Sequence, residues 1–227
     1  GKVISWDFLT EAPADGMTAG GIFPAIVGTL YLVLGSSLIS FPIGIMSGIY
    51  MNEYATNGKI IRFIRIMTNN LSGVPSVVFG LFGMSLFVVT LGWGDSIIAG
   101  SFTLALMSLP LIIRTTEEAL KSIDDSFRHG SLALGATKER SIFFVILPAA
   151  KSGILAAVVL GIGRAIGETM AVVMVAGNQP RMPQGILKGV RTMTANIVTE
   201  MGYATGLHRE ALIATAVVLF IFILIIN

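Results

Sequence analysis

The chain has 227 residues, of which 54% are hydrophobic and only 12% are charged. A soluble domain carries roughly 25% charged residues, so this composition and a mean hydropathy of +0.83 predict an all-α, polytopic membrane protein. The net charge of +2 is too small to indicate a nucleic-acid partner. The chain contains no cysteine, which excludes disulfides, thiol chemistry and cysteine-ligated zinc.

The two ends of the sequence differ in character. Residues 1–20 are polar and glycine-rich, with acids such as Asp15 and one base, Lys2, and they lack the apolar core of a signal peptide. We expect a loop or a short surface helix there. At the other end the sequence stops inside the apolar run AVVLFIFILIIN, so we expect it to belong to a longer protein.

Five apolar runs are candidates for membrane-spanning helices, each of which needs about 20 apolar residues. A polar loop is predicted at 53–65, between the first two runs. Gly73 and Pro75 interrupt the second run, so either the helix is broken there, as along a transport pathway, or a new helix simply starts at Pro75. In chain order, the predicted spans are 24–50, 66–94, 97–113, 152–177 and 211–226.

The distribution of lysine and arginine predicts the orientation of these spans. Segments 53–65 and 114–151 lie on one side and carry nine Lys and Arg residues. Segments 1–20, 92–96 and 178–210 lie on the other side and carry five. Cytoplasmic loops are enriched in these residues, so the first two segments are predicted to be cytoplasmic.

Two charges lie inside the fourth apolar run, in the sequence GIGRAIGETM. They are Arg164 and Glu168, and a charge at the bilayer centre costs roughly 2.5–3.5 kcal/mol on insertion scales. On a continuous helix their i, i+4 spacing places both on one face. Either they form an ion pair that locks two helices, or Arg164 attracts a passing anion. In the second case Glu168 orients the guanidinium or accepts a hydrogen bond from the anion.

The longest charged stretch, about 115–150, is predicted to be a cytoplasmic loop with two short helices. The acids Asp124 and Asp125 are candidate N-caps, and Gly135 follows an apolar triplet and can end the first helix. An amphipathic helix in such a loop either lies on the membrane or docks its apolar face on a partner protein.

This loop resembles the cytoplasmic signature of binding-protein-dependent ABC transporter permeases, which reads EAA, three residues, G, nine residues, I-x-LP. The glutamate of that signature is replaced by His129, and the spacing to Gly135 and to the LP pair at Leu147 is kept. The resemblance implies one permease domain over 1–227, whose loop forms a coupling helix that docks on an ATPase subunit. The residues that it assigns to this contact are His129, Ala133, Leu134, Gly135, Ala136 and Thr137.

A second set of motifs resembles the phosphate-specific members of that family, which work as a PstC and PstA pair. GIGRAIGETMAVVMVAGN at 161–178 and TANIVTEMGYATGLHREAL at 194–212 look more like PstC, whereas LPLIIRTTEEAL at 109–120 has a PstA character. We therefore prefer the PstC identity. The resemblance implies six spans in the whole protein and associates Arg164 and Glu168 with phosphate.

The same resemblance implies the partners and the location of the protein. They are a second, homologous permease subunit, ATPase subunits, an extracytoplasmic phosphate-binding protein and the bilayer of a prokaryotic inner membrane. The chain lacks GxxxxGK[ST], so ATP is expected to be bound by the partner subunit, and no cofactor or metal is expected in this chain. The predicted outer side carries three cations that attract anions, contact the binding protein or are simply solvated, namely Arg181, Lys188 and Arg191.

Two alternative functions stay open at this point. One is a permease for sulfate or molybdate with the same architecture. The other is an ATPase-independent anion channel or carrier, although such carriers typically show internal repeats and several intramembrane ionisable groups. The sequence has no constellation of nucleophile, acid and base within its apolar runs, so we predict a transport subunit and not an enzyme.

Overall fold

The computed structural model describes residues 4–14, 19–55 and 58–226. Within them, regular structure is helical except for one antiparallel pair of two-residue strands, β1 (Pro13–Ala14) and β2 (Ala19–Gly20). The all-α prediction is therefore confirmed. The predicted short surface helix is α1 (Trp6–Thr10), while Lys2 and Asp15 lie outside the described residues.

The described residues contain eleven further α-helices and three π-helical stretches. The π-helical stretches follow α2, follow α4 and separate α7 from α8, at Tyr50–Tyr54, Met84–Thr90 and Ile142–Ile146. The α-helices are α2 (Phe23–Ile49), α3 (Lys59–Ser72), α4 (Ser76–Gly83), α5 (Ile97–Lys121), α6 (Asp125–Ala133), α7 (Lys138–Ser141), α8 (Leu147–Ala149), α9 (Lys151–Gly167), α10 (Met170–Val175), α11 (Met193–Glu200) and α12 (Gly206–Ile226).

Three of these helices are long and apolar enough to cross a membrane by themselves. They are α2 with its π-helical extension, α5 and α12. Two more spans are obtained if each bent pair of neighbouring helices counts as one, namely Lys59–Ser72 with Ser76–Thr90 and Lys138–Ala149 with Lys151–Gly167. The prediction of about five spans is confirmed when each bent pair counts as one span.

Two boundaries differ from the sequence prediction. The predicted polar loop at 53–65 is helical from Lys59 onward, where α3 begins. The apolar residues of α3 recur at intervals of three to four residues, the period of an α-helix. Helix α5 continues past Ile113 to Lys121. Two i, i+4 ion pairs support this last part, Arg114–Glu118 at 2.9 Å and Glu117–Lys121 at 2.7 Å.

The chain divides into two contact units. The first comprises Gly1–Leu38, Val74–Met107 and Ile162–Asn227. In its core, α4 approaches α10 so closely that a Cβ on Gly80 would lie 3.0 Å from the Cα of Ala171. Its main cluster of buried residues consists of Leu32, Phe79, Ile97, Leu104, Met107, Val172, Ala176 and Val190.

The second unit comprises Ile39–Gly73 and Ser108–Gly161. Here α2 and α5 cross at two glycines, since a Cβ on Gly44 would lie 2.7 Å from Ile112 Cγ2 and one on Gly48 would lie 2.8 Å from Thr116 Cβ. Such close approach is typical of helices in membranes. The core of this unit lies next to the predicted coupling segment, residues 125–137, and consists of Ile49, Leu120, Ile142, Ile146 and Ala150.

Candidate functional site

The helix that carries the two intramembrane charges is broken between them. Helix α9 ends at Gly167 and α10 begins at Met170, so Glu168 lies in the break, directly after the last residue of α9. The prediction of one continuous helix over 152–177 is therefore wrong at this point. Glycine at 161, 163 and 167 lowers the helix propensity of the segment.

Side chains satisfy the backbone groups that the break exposes. The Glu168 carboxylate accepts a hydrogen bond from the Ala171 amide at 3.3 Å and so caps the start of α10. The Glu168 carbonyl accepts one from Thr194 Oγ1 at 3.0 Å, and this threonine is buried. Thr192 and Thr194 share a further hydroxyl hydrogen bond of 3.1 Å. The break is thus a built feature of this unit, because a free carbonyl at membrane depth would be costly.

Arg164 lies one turn before the break and is only partly buried. Within residues 4–14, 19–55 and 58–226 its guanidinium has no hydrogen-bond or ion-pair partner, so it does not pair with Glu168. A Cβ added to Gly163 or to Gly167 would meet no atom within 4 Å, so open space borders this stretch of the helix. The structure therefore leaves a guanidinium available to a ligand.

Arg191, predicted to be either solvated or in contact with a partner, is instead part of a buried polar network. Its guanidinium pairs with Glu200 at 2.7 Å, and only 13% and 14% of the two side chains are exposed. It also donates to the Asn178 carbonyl at 3.0 Å and to Asn196 Oδ1 at 3.2 Å. The residue therefore holds the loop before α11 to that helix. Arg191 and Glu200 are nine residues apart, which is not a helical pairing distance, so no sequence pattern predicts this pair.

The residues assigned to ATPase coupling lie together on the surface at the end of α6. Leu134 is 91% exposed, and Gly135 adopts the positive φ of +86° that ends the helix, as predicted. Thr137 caps α7 by accepting a hydrogen bond from the Arg140 amide at 3.3 Å. His129, Ala133 and Ala136 belong to the same segment. Of the six assigned residues, Ala136 is half-buried and the other five are exposed.

A buried ion pair anchors this segment, and no sequence pattern predicted it. Arg128 of α6 donates to Glu53 at 2.7 Å, and the Glu53 side chain is only 6% exposed. Arg128 also donates to the carbonyls of Leu120 and Ile123 at the end of α5. The Glu53 carboxylate raises the pKa of the Arg128 guanidinium above its ordinary value by accepting this hydrogen bond. The two residues are 75 positions apart, so no local pattern pairs them.

The predicted N-cap of α6 is confirmed. Asp124 accepts a hydrogen bond from the Ser126 amide at 2.7 Å. Hydrogen bonds from Ser126, through its side chain and its amide, hold the pKa of the Asp124 carboxyl below its ordinary value. Among residues 4–14, 19–55 and 58–226, no group of three or more His, Asp or Glu side chains is arranged to hold a metal ion.

Proteins of similar sequence are permeases. The chain is 36% identical to the probable ABC transporter permease protein YqgI of Bacillus subtilis, over 79% of this chain and 61% of that protein. It is 37% identical to YqgH of the same organism, over 97% of this chain and 76% of that protein. The phosphate transport system permease protein PstA of Mycobacterium leprae is 38% identical over 70% of this chain and 52% of its own length. The chain thus spans about half to three quarters of these relatives.

Solved structures show the same fold. A structure of the MetNI methionine ABC transporter in an inward facing conformation superposes with a TM-score of 0.74 at 19% identity, covering 90% of both chains. An amino acid ABC transporter superposes with a TM-score of 0.64 at 18% identity, over 90% of this chain and 88% of that one. At these identities the likeness concerns the fold.

The match to a protein family extends from residue 40 to residue 227. That family is described as "Binding-protein-dependent transport system inner membrane component". The match covers well over half of the chain. It includes the coupling segment, the break between α9 and α10, and both bent helix pairs. The chain therefore belongs to the inner membrane components of binding-protein-dependent transport systems, the permeases of ABC importers.

Proposed function

We propose that this chain is the permease subunit of an ATP-driven importer that carries inorganic phosphate, delivered by an extracytoplasmic binding protein, across the inner membrane. The observation that carries the proposal is the guanidinium of Arg164, which is partly buried near the end of α9 and has no hydrogen-bond or ion-pair partner among the described residues. The PstA name of the Mycobacterium leprae relative supports phosphate as the anion.

The chemistry of arginine suits this role. Its planar guanidinium matches two phosphate oxygens at once and stays charged at any physiological pH. A transport site must also release its substrate, so a single arginine that makes a few charge-assisted hydrogen bonds is more suitable than a closed cage.

Glu168 acts mainly as a positioning residue in this proposal. Its carboxylate already caps α10 and its carbonyl is held by Thr194, so the residue maintains the break next to Arg164. A negative charge near the path also weakens anion binding, which favours release. Direct contact between Glu168 and phosphate is therefore not required.

The proposed assembly follows from the surface of the coupling segment. His129, Ala133, Leu134, Gly135, Ala136 and Thr137 would contact an ATPase subunit, which binds the ATP. The exposure of Leu134 supports this contact, since an apolar side chain that is 91% exposed loses water on docking. A second, homologous permease subunit completes the pathway. The motifs at 161–178 and 194–212 favour the PstC role for this chain. The PstA name of the Mycobacterium leprae relative supports a phosphate permease, but the choice between PstC and PstA rests on these motifs alone.

The test is transport by the assembled complex in liposomes. The full-length protein would be co-purified with its ATPase, the second permease and the binding protein. We expect phosphate to stimulate ATP hydrolysis and ATP to drive uptake, whereas sulfate and molybdate, offered with the same binding protein, do neither. Uptake that proceeds without ATP would contradict the proposal. A sulfate-specific or molybdate-specific response would keep the importer and reject phosphate.

A further inference from the structure

Helix α3 (Lys59–Ser72) separates its polar and apolar residues onto opposite faces. At 100° per residue, five of its seven large apolar side chains fall within one third of the helix circumference, while Ile61 and Ile66 lie beside the polar residues. The opposite side carries Arg62, Arg65 and Asn69. The residues of the apolar face are Ile60, Phe63, Ile64, Met67 and Leu71.

This apolar face is uncovered in the structure. No residue of α3 is buried, and Ile60 and Phe63 are 75% and 59% exposed. Ile64, Met67 and Leu71 are also exposed. Five adjacent apolar side chains of this kind require a partner that removes them from water.

The helix is too short and too polar to cross a bilayer by itself. Its 14 residues extend about 21 Å, whereas the hydrocarbon core is about 30 Å thick. Gly73, Val74 and Pro75 separate it from α4. An amphipathic helix with a basic polar face and low overall hydrophobicity has the character of one that lies in the membrane interface.

The rotation of α3 about its axis is set by Arg65. The guanidinium of this residue pairs with Glu117 of α5 at 2.9 Å and donates to the Met51 carbonyl at 3.1 Å. Glu117 is held from the other side by Lys121 at 2.7 Å, and its side chain is only 10% exposed. Arg65 therefore turns toward the ends of α2 and α5. At one edge of the apolar face, Ile64 borders a cavity that Met46 and Tyr50 also line. The other residues of that face remain exposed.

Two further cations of α3 are free to bind anions. Lys59 and Arg62 are exposed, and neither has an ion-pair partner within the described ranges 4–14, 19–55 and 58–226. Together with Arg65 and Asn69 they line a groove of about 540 Å³. No acidic side chain lines this groove, so its charge is complementary to a phosphate group.

We propose that α3 is an interfacial helix that inserts its apolar face into one leaflet and binds the phosphate groups of anionic lipids through Lys59 and Arg62. The leaflet is the one next to the coupling segment, because Glu53, just before α3, pairs with Arg128 of α6. A protein partner would cover the apolar face equally well, but it gives no reason for two unpaired cations beside that face. The proposal does not depend on which anion is transported.

Spin labels measure the depth of α3, because the chain contains no native cysteine. Single variants Ile60→Cys, Phe63→Cys and Met67→Cys would be labelled in the full-length protein, assembled with its partners, in vesicles that contain phosphatidylglycerol. Asn69→Cys and Ser72→Cys serve as polar-face controls. We expect the apolar-face labels to collide with oxygen and not with a water-soluble nickel chelate, and the control labels to show the reverse. Apolar-face labels that the nickel chelate reaches, or that neither reagent reaches, would overturn the proposal, the latter because protein then covers the helix.

Lipid selectivity tests the two cations. The assembled complex would be mixed with spin-labelled phosphatidylglycerol and phosphatidylcholine, and their relative association would be measured. In Lys59→Gln/Arg62→Gln we expect the preference for phosphatidylglycerol to fall by up to about fivefold for each cation removed. The charge-matched control Lys138→Gln/Arg140→Gln, in α7, should keep the preference. Equal preference in wild-type and Lys59→Gln/Arg62→Gln complexes, or an equal loss in the control, would overturn the proposal.

Discussion

The helix break and the coupling segment both contain charged residues that are at least partly buried. Within the described part of the chain, the charges are paired at the coupling segment and unpaired at the helix break. At the coupling segment, Arg128 and Glu53 are paired at 2.7 Å and supported by backbone carbonyls. At the break, Arg164 has no partner among the described residues, and Glu168 is used to cap α10. A paired charge holds structure, whereas an unpaired one is available to a ligand. Variants in the two regions should therefore change different measurements.

Arg128→Met is expected to have the largest effect. It leaves the Glu53 carboxylate buried without its counter-charge, which costs about 3 kcal/mol for a pair of this kind. Thermal unfolding of the purified protein should shift to lower temperature, and co-purification with the ATPase should fall. The double variant Glu53→Gln/Arg128→Met should recover part of the loss, since no charge is then stranded. If the double variant lost as much free energy of unfolding as Glu53→Gln and Arg128→Met lose together, the two residues would not be coupled.

Arg164→Ala comes next and should affect transport without affecting stability. Losing charge-assisted hydrogen bonds to the anion, each about 1.5–3 kcal/mol, should lower phosphate flux by about 10- to 100-fold. The measurement is uptake by the reconstituted complex, with the unfolding temperature and ATPase association recorded in parallel. Arg114→Ala, which removes an exposed i, i+4 pair with Glu118, is the control and should leave flux unchanged. Full flux in a stable Arg164→Ala complex would contradict the role of Arg164.

Thr194→Val tests whether the break is held in place from outside the helix. The variant removes the donor to the Glu168 carbonyl, and an unsatisfied buried carbonyl costs about 1 kcal/mol or somewhat more. We expect a modest loss of both stability and flux. Thr199→Val is the matched control, because the Thr199 hydroxyl bonds only to carbonyls of its own helix, those of Ala195 and Asn196. Equal effects of the two variants would show that the Thr194 contact is unimportant.

Asp124 should have the smallest effect, confined to acidic pH. Its pKa is lower in the folded protein than its ordinary value of 3.8, because Ser126 hydrogen-bonds the carboxylate. The contribution to stability is therefore present above pH 3.8 and lost as the pH falls through the lowered pKa. In Asp124→Asn, which can still cap α6, this part of the pH dependence of thermal unfolding should disappear. An unchanged pH profile would contradict the assignment.

Sequence patterns predicted the features that depend on neighbours along the chain. The five apolar runs, the N-cap at Asp124, the helix end at Gly135 and the interruption at Gly73 and Pro75 are all found in the structure. Each follows from local backbone chemistry or from the length of an apolar run, so a single sequence contains enough information.

Other features could not be predicted from neighbouring residues. The ion pairs Glu53–Arg128 and Arg65–Glu117 join residues far apart in the sequence. The same holds for the buried state of Arg191, which depends on Glu200 and on the Asn178 carbonyl. The first half of α3 lies in the predicted polar loop at 53–65, and its helical form is supported by the contacts of Arg65 with Glu117 and the Met51 carbonyl.

The sequence by itself determined that this chain is a polytopic helical membrane protein with two charges in its fourth apolar run. Composition and the length of apolar runs suffice for that, because the cost of exposing polar groups to lipid leaves few alternatives. Only the tertiary structure decided that the two charges do not pair. A break between Gly167 and Met170, held by Thr194 from another part of the chain, separates Glu168 from the helix of Arg164. Such a break depends on the donor that satisfies the freed carbonyl, and that donor lies 26 residues away.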